Sequence, residues 1–348
     1  MKAVVYFGPG HIEVCDRPDP EAREDNLLLE IACCAICGTD VKLATLGHPR
    51  WTKPVVLGHE LVGRIIHAGS RVQGFAVGER VTLATTLACG HCPICARGLG
   101  NLCPNCEPIS MVHDGAFARR MAVPPLALAG GNVIKVPRNV PDEAAALSEP
   151  MSCAINAQEL VPLKRGDRVV IVGGGPLGAI HAELARAAGA AVVMIVQRSE
   201  PRLSLLRKLR GVTVIDGAHD DVKACVLAAT DGLGADVVVV CAPDRAAQEK
   251  SLDLARKGGA VSLFASLPKG ESAIMLDSRT IHYGELRVVG CSDSRPEHVR
   301  KAVDLLAAGK VDAEALVTHR LPLSKFREGI ELMTRKESFK VLIVPGET

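Results

Sequence analysis

The segment CGHCPICARGLGNLC carries Cys89, Cys92, Cys95 and Cys103 with spacers of two, two and seven residues. Two-residue spacers let successive thiolates converge on one tetrahedral ion at Zn–S distances of about 2.3 Å. Gly90, Pro93, Gly98 and Gly100 allow the tight turns this requires. Four thiolates leave no open coordination position, so the spacing predicts a structural zinc whose binding stiffens a loop poor in apolar side chains. Cys106 and His91 are spare donors in the same loop, ranked behind Cys103 as the fourth ligand, and free or redox-active thiols are the plain alternative. A second set of metal-ligating residue types is dispersed: Cys37 in CGTD, His59 and Glu60 in GHE, and Glu149 in SEP. Taken singly, a Cys is commonly buried filler and a Glu commonly solvated. Gly38 and Gly58, beside Cys37 and His59, would let the backbone bend there, and Pro150 is expected to hold Glu149 extended.

Phosphate chemistry is the reading for VVIVGGGPLG, which sets Gly173, Gly175, Pro176, Leu177 and Gly178 at the junction of an apolar strand and an Ala-rich helix. Glycines there let the backbone approach a pyrophosphate, and the free N–H groups of the helix face its charge. About twenty residues on, an NAD-selective protein carries Asp or Glu to hold the ribose 2′-hydroxyl. In MIVQRSEPR the corresponding residue is Gln197, followed by Arg198, Ser199 and, a turn later, Arg202. An uncharged residue with adjoining Arg suits a 2′-phosphate better than a diol, so NADP is favoured over NAD. Ser199 with Pro201 also makes a helix N-cap and first turn. Arg207, Lys208 and Arg210 read as the solvated face of that helix, with Leu203, Leu206 and Leu209 turned inward.

These groups need elements to hold them, and 348 residues suit two domains rather than one. With 48% hydrophobic but only 3% aromatic residues, the cores must be built from Val, Leu, Ile and Ala, the composition of parallel sheets covered by helices. The first half reads as short strands broken by Gly and Pro, at 26–32, 55–57, 61–68 and 80–83. From about Gly166 the pattern becomes strand, glycine turn, helix, strand: 168–172, a helix through 190, 192–196, and a helix over 201–210. Strands at 212–215, 236–241, 260–264 and 286–289 continue this βαβ alternation. A helix near 298–308 and a strand at 340–344 are too little for a third domain and are expected to complete the first. The expected division is 1–149, 150–288 and 289–348.

A formal net charge of +2 gives no field adapted to nucleic acid or an anionic membrane, so a small-molecule partner is the expectation. No apolar run approaches the length needed to cross a bilayer, and no basic segment followed by a long apolar one opens the chain, which points to the cytoplasm. Thirteen cysteines in a reducing compartment mean metal or catalysis rather than disulfides.

In their order, CGTD, LGHE, the four-cysteine loop, SEP and GGGPLG resemble the zinc-containing medium-chain dehydrogenases over essentially the whole chain, and most of all the sorbitol, iditol and threonine branches. The resemblance implies an α/β architecture: a doubly wound Rossmann parallel sheet inserted into a β-rich GroES-like catalytic domain, with cofactor and catalytic zinc in the cleft between them. It implies two zinc ions per chain. Cys37 and His59 would bind the catalytic one with Glu60 or Glu149 as third ligand, leaving a position where zinc polarises a substrate oxygen. Thr39 resembles the hydroxyl that passes the alcohol proton outward. Where many relatives continue that relay with His, this chain has Lys42, read as a surface residue; His48 or a direct water path could substitute. Asp40 reads as a structural hydrogen-bonding residue. His48, Arg50 and Trp51 are expected near the substrate, and Ser294 and Arg295 could hydrogen-bond its hydroxyls. The activity implied is hydride transfer between a polyol, cyclitol or sugar-derived secondary alcohol and a nicotinamide dinucleotide, in a homodimer or homotetramer. A simple secondary alcohol or L-threonine is the alternative substrate, and a non-catalytic NAD(P)-binding redox sensor the alternative class.

Overall fold

Runs such as RVVIV, VVMIVQ and ADVVVV are rich in β-branched residues, which favour strands, and are apolar on both faces, which requires cover above and below. The computed structural model, which describes residues 1–47 and 54–346, places these runs at the centre of a six-stranded sheet. Its order is Thr213–Asp216, Val192–Gln197, Arg168–Val172, Ala235–Val240, Ala255–Leu263 and Arg287–Gly290, and every neighbouring pair is parallel. The chain starts in the middle strand, works outward to one side, then returns to fill the other. That is a doubly wound sheet with its switch point beside Arg168–Val172. Val170, Met194, Val238, Val240 and Val261 form its buried core.

Contacts divide the chain into two units: Met1–Ser152 with Asp293–Thr348, and Cys153–Ser292. The parallel sheet belongs to the second. In the first, six strands run in the order Val317–Pro322, Lys340–Val344, Leu27–Ala35, Glu60–Ala68, Arg80–Leu83 and Val133–Lys135, with Arg120–Val123 also paired to Leu27–Ala35. The C-terminal strand joins antiparallel to Leu27–Ala35, with Leu342 opposite Ala35 and Ile343 opposite Cys34, so the end of the chain completes a sheet begun by its start. A smaller sheet of His11–Asp16, Lys2–Gly8 and Val55–Val56 lies in the same unit. Leu27, Leu29, Leu61, Ile65, Phe117, Val341 and Ile343 share one buried cluster that fixes these strands relative to one another.

Local departures from expectation have local causes. The helix expected over 201–210 is Glu200–Leu206, and the strand expected at 260–264 begins earlier, as Ala255–Leu263. Glu149 is not extended; it lies in the helix Ser148–Leu160. Pro150 stands in the first turn of that helix, where a missing N–H costs nothing because such groups have no intrahelical acceptor. Among the described residues no helix is long and apolar enough to cross a membrane.

Candidate active site

Two neighbouring strands bring Cys37, His59 and Glu60 together. Leu27–Ala35 leads into Cys37, which is the N-cap of the helix Gly38–Leu46, and His59 immediately precedes Glu60–Ala68. Glu60 pairs across to Ala35, so the two strands deliver both groups at one end of the sheet. Gly58 makes the turn possible: its φ is +98°, and a Cβ there would stand 2.7 Å from the Phe117 backbone nitrogen. Ligand atoms of Cys37, His59 and Glu60 all lie within 4.8 Å of one another. Asp40 fixes the approach of Cys37 by accepting its backbone N–H at 2.8 Å, and Cys37 Sγ lies 3.7 Å from Thr39 Oγ1. Ser110 Oγ lies 3.3 Å from His59 Nδ1 and so orients the ring. Ser110 takes a left-handed φ of 65°, a conformation a non-glycine residue adopts only where its surroundings demand it.

Charge is concentrated here out of water. Lys340, on the C-terminal strand, donates from Nζ to Glu60 Oε1 at 2.5 Å and Oε2 at 2.6 Å, with both side chains almost fully buried. Burial alone would discharge the ammonium, but Glu60 and Cys37 hold its pKa above the ordinary lysine value. Glu149 accepts from Thr85 Oγ1 at 3.3 Å, and burial pushes its carboxyl up to about 7 against the pull of His59. Asp293, hydrogen-bonded by Thr86, is likewise raised by burial. His59 is held well above the usual imidazole range because Cys37, Asp40 and Glu149 outweigh the burial that would lower it. A sulfur, an imidazole and several acidic groups thus share one interior region with the buried Lys340 ammonium. That donor set suits a divalent ion.

The four-cysteine loop has a different character. Its sulfurs are separated by 3.9 Å for Cys89 to Cys95, 3.5 Å for Cys92 to Cys95, 3.8 Å for Cys92 to Cys103 and 3.5 Å for Cys103 to Cys89. Four thiolates at about 2.3 Å from one tetrahedral ion stand about 3.8 Å apart, so the cluster fits such an ion and is too wide for disulfides. The His91 and Cys92 amides outweigh burial and draw Cys89 down to about 6. His91 turns its Nδ1 to the Cys89 carbonyl at 2.8 Å, and among the described residues the cluster of sulfur donors excludes Cys106.

In the second unit, Arg168–Val172 runs into Gly173, Gly174 and Gly175, the last being the N-cap of Pro176–Ala187. Gly173 has φ +106°, and a Cβ there would meet the Ala242 nitrogen at 2.7 Å; a Cβ on Gly178 would strike the Gly173 carbonyl. At Gly175 a Cβ would meet nothing within 4 Å, so the space before the helix N-terminus, beside Pro176 and Leu177, is open for an anion. Gln197 closes the next strand. Its Oε1 accepts the backbone N–H groups of Arg198 at 2.7 Å and Ser199 at 3.1 Å. Ser199 is the N-cap of Glu200–Leu206, but its own side chain makes no cap bond; Gln197 instead holds the two backbone amides that lead into the helix. Arg202, expected beside the ribose, is buried, and burial lowers its guanidinium to about 10. Leu203, Leu206 and Leu209 are buried.

Of the other sequence candidates, Ser294 and Arg295 have partners of their own. Lys42 is exposed on the helix after Cys37. Arg295 is engaged by Glu297 at 2.5 Å and His298 at 3.0 Å, and Ser294 accepts from Ser152 at 2.6 Å. His48, Arg50 and Trp51 lie outside the described residues. Lys340 and Ser110 went unnoticed in the sequence. The only signal for Lys340 is a cation opening the otherwise apolar strand KVLIV.

Residues 23–138 match the model of the alcohol dehydrogenase GroES-like domain and residues 176–308 that of the zinc-binding dehydrogenases. The chain is 33% identical to the sorbitol dehydrogenase of Halalkalibacterium halodurans, over 99% of both chains. It is 31% identical to the D-arabitol-phosphate dehydrogenase of Enterococcus avium, over 99% of this chain and 97% of that one. A chain from Sinorhizobium meliloti 1021, described as a zinc-binding dehydrogenase and solved bound to NADP, superposes with a TM-score of 0.90 at 32% identity over 99% of each.

Proposed function

The chain belongs to the zinc-dependent medium-chain alcohol and polyol dehydrogenases, and on that premise we propose that it oxidises a polyol, cyclitol or sugar-derived secondary alcohol with NADP, using two zinc ions per chain. It is an oxidoreductase that moves hydride between an alcohol and a nicotinamide dinucleotide. The observation that carries the proposal is the gathering of Cys37, His59 and Glu60 ligand atoms within 4.8 Å at one end of two paired strands. Cys37 and His59 would hold the catalytic ion, with the third place taken by Glu60 or Glu149. Cys89, Cys92, Cys95 and Cys103 would hold the other, which has no open position and serves the loop alone.

When bound, the open-site ion supplies a Lewis acid for the substrate hydroxyl, and the nicotinamide supplies the hydride acceptor. The protein's own residues then do the positioning and the proton work. Ser110 at His59 Nδ1 leaves Nε2 for the ion and fixes the plane of the ring. Thr39 Oγ1, beside Cys37 Sγ, accepts the hydroxyl proton and passes it outward; exposed Lys42 takes no part. Lys340 pairs with Glu60 and so offsets the charge of that carboxylate beside the donors. Gly173, Gly175, Pro176, Leu177 and Gly178 form the pyrophosphate cradle. Gln197, Arg198 and Ser199 face the adenosine 2′ position, with buried Arg202 behind them.

The strand Arg287–Gly290 ends the parallel sheet with one edge that no strand among the described residues pairs, which supports assembly with a second copy as a homodimer or homotetramer.

A spectrophotometric panel of polyols, cyclitols, simple secondary alcohols and L-threonine, run in parallel with NADP and NAD, tests the assignment. The expected result is turnover of a polyhydroxy substrate with kcat/KM at least about tenfold higher with NADP, equivalent to roughly 1.4 kcal/mol. Preference for NAD would overturn the use made of Gln197 and Arg198, and turnover confined to L-threonine would overturn the substrate class.

A further inference from the structure

Arg198 Nη2 donates to Asp244 Oδ2 at 3.0 Å, a bond between residues that follow two different strands of the parallel sheet. Val192–Gln197 and Ala235–Val240 flank the central Arg168–Val172, whose end opens into the Gly173–Gly175 turn. The ion pair therefore links the two strand ends on either side of the pyrophosphate turn, at the switch point where an α/β sheet takes its nucleotide. Its two members are held unequally. Asp244 is the N-cap of Arg245–Glu249, with Oδ1 accepting the Ala247 N–H at 2.8 Å. That amide, ahead of Arg198, keeps its carboxyl below the usual range, so it is charged at neutral pH. Arg198 is a long, 63% exposed side chain whose stem passes 3.4 Å from where a Gly217 Cβ would stand. The anion is anchored at a helix start, whereas the cation stands at the end of a long, exposed stem.

We propose that Asp244 is a specificity-determining residue for the coenzyme: its fixed carboxylate competes with the adenosine 2′-phosphate for the Arg198 guanidinium, so that NADP binds by exchanging one anion for another. NAD, with a neutral 2′-hydroxyl, leaves the pair intact. The proposal rests on the reading of Gln197 and Arg198 as the contact to the 2′ position. Gln197 strengthens it: with Oε1 committed to the two backbone amides, only its Nε2 donors remain for a ligand, and those suit phosphate oxygen. Selectivity in this protein is thus set by the balance between an acid that restrains Arg198 and a phosphate that recruits it, rather than by Arg198 alone.

Dissociation constants for NADPH and NADH, read from nicotinamide fluorescence on the intact protein, test this in wild type, Asp244→Asn, Arg198→Gln and the double variant. Asn is as good an N-cap as Asp, so Asp244→Asn preserves the helix start while removing the charge. It is expected to raise the NADPH preference over NADH by about two- to fivefold, the range of a partly exposed ion pair. Arg198→Gln lowers the same ratio, and in its background Asp244→Asn has no further effect on it. An unchanged ratio in Asp244→Asn overturns the proposal, as does an equal gain with and without Arg198, which would mean plain repulsion of phosphate by the carboxylate. Wild-type preference for NADH would overturn the NADP reading alone; an Arg198-dependent rise in Asp244→Asn would then still support Asp244 as the group that restrains Arg198.

Discussion

Replacing Cys37 by Ser lowers kcat/KM by about 10³-fold and removes one zinc per chain, with the thermal unfolding midpoint little changed. A neutral hydroxyl is a poor substitute for a thiolate as a zinc ligand, and the Lewis acid it would hold supplies several kcal/mol of transition-state stabilisation, about tenfold for each 1.4 kcal/mol. The fold does not depend on the residue to the same degree, because Cys37 is only partly buried while its neighbours Cys34, Ala35 and Ile36 carry the packing. His59→Ala gives a loss of the same size, and the double variant is no worse than either single one, because each already loses the ion. Zinc content and turnover measured on the same samples check this. Retention of activity within about tenfold of wild type in Cys37→Ser, or loss of activity with both ions still bound, contradicts the assigned role.

Lys340→Met destabilises the first unit by about 3–5 kcal/mol, the cost of leaving a buried charge without its partner. Glu60 is almost wholly out of water and its two oxygens share a single ammonium, so no solvent can take over when that ammonium is removed. Glu60→Gln/Lys340→Met is expected to regain most of the loss, since removing both charges also removes the need to bury either. The check is chemical denaturation followed by probes specific to each unit, because a chain of two units need not unfold in one step. A Lys340→Met variant as stable as wild type, or a double variant less stable than both singles, contradicts the account of this pair.

The difference between these groups explains what could be read from the residues alone. The cysteine loop is local: spacers of two and seven residues decide whether four sulfurs can meet, and they do meet within a single loop. The glycine turn is also local, since a positive φ at Gly173 and the close approach at Gly178 are demands that only glycine meets. The alternation of β-branched runs with helices gave the doubly wound sheet because a buried parallel strand must be apolar throughout. Lys340 and Glu60 are 280 residues apart, and only the register of Lys340–Val344 on Leu27–Ala35 brings them together. No single sequence encodes that register visibly. Arg198 and Asp244 meet for the same kind of reason, through the order of strands rather than through proximity in the chain. Glu149 shows the opposite limit: a local rule for the residue before proline yielded to a helix start packed into the interior, where Ser148, Met151 and Ser152 are all buried.

Anomalous diffraction collected on either side of the zinc absorption edge, from crystals of the intact protein, tests the central claim most directly. The account predicts two peaks per chain, one among the four loop sulfurs and one about 2.3 Å from Cys37 Sγ and about 2.0–2.1 Å from a His59 ring nitrogen. A fully loaded protein with a peak in the cysteine loop and none shared by Cys37 and His59 would contradict it.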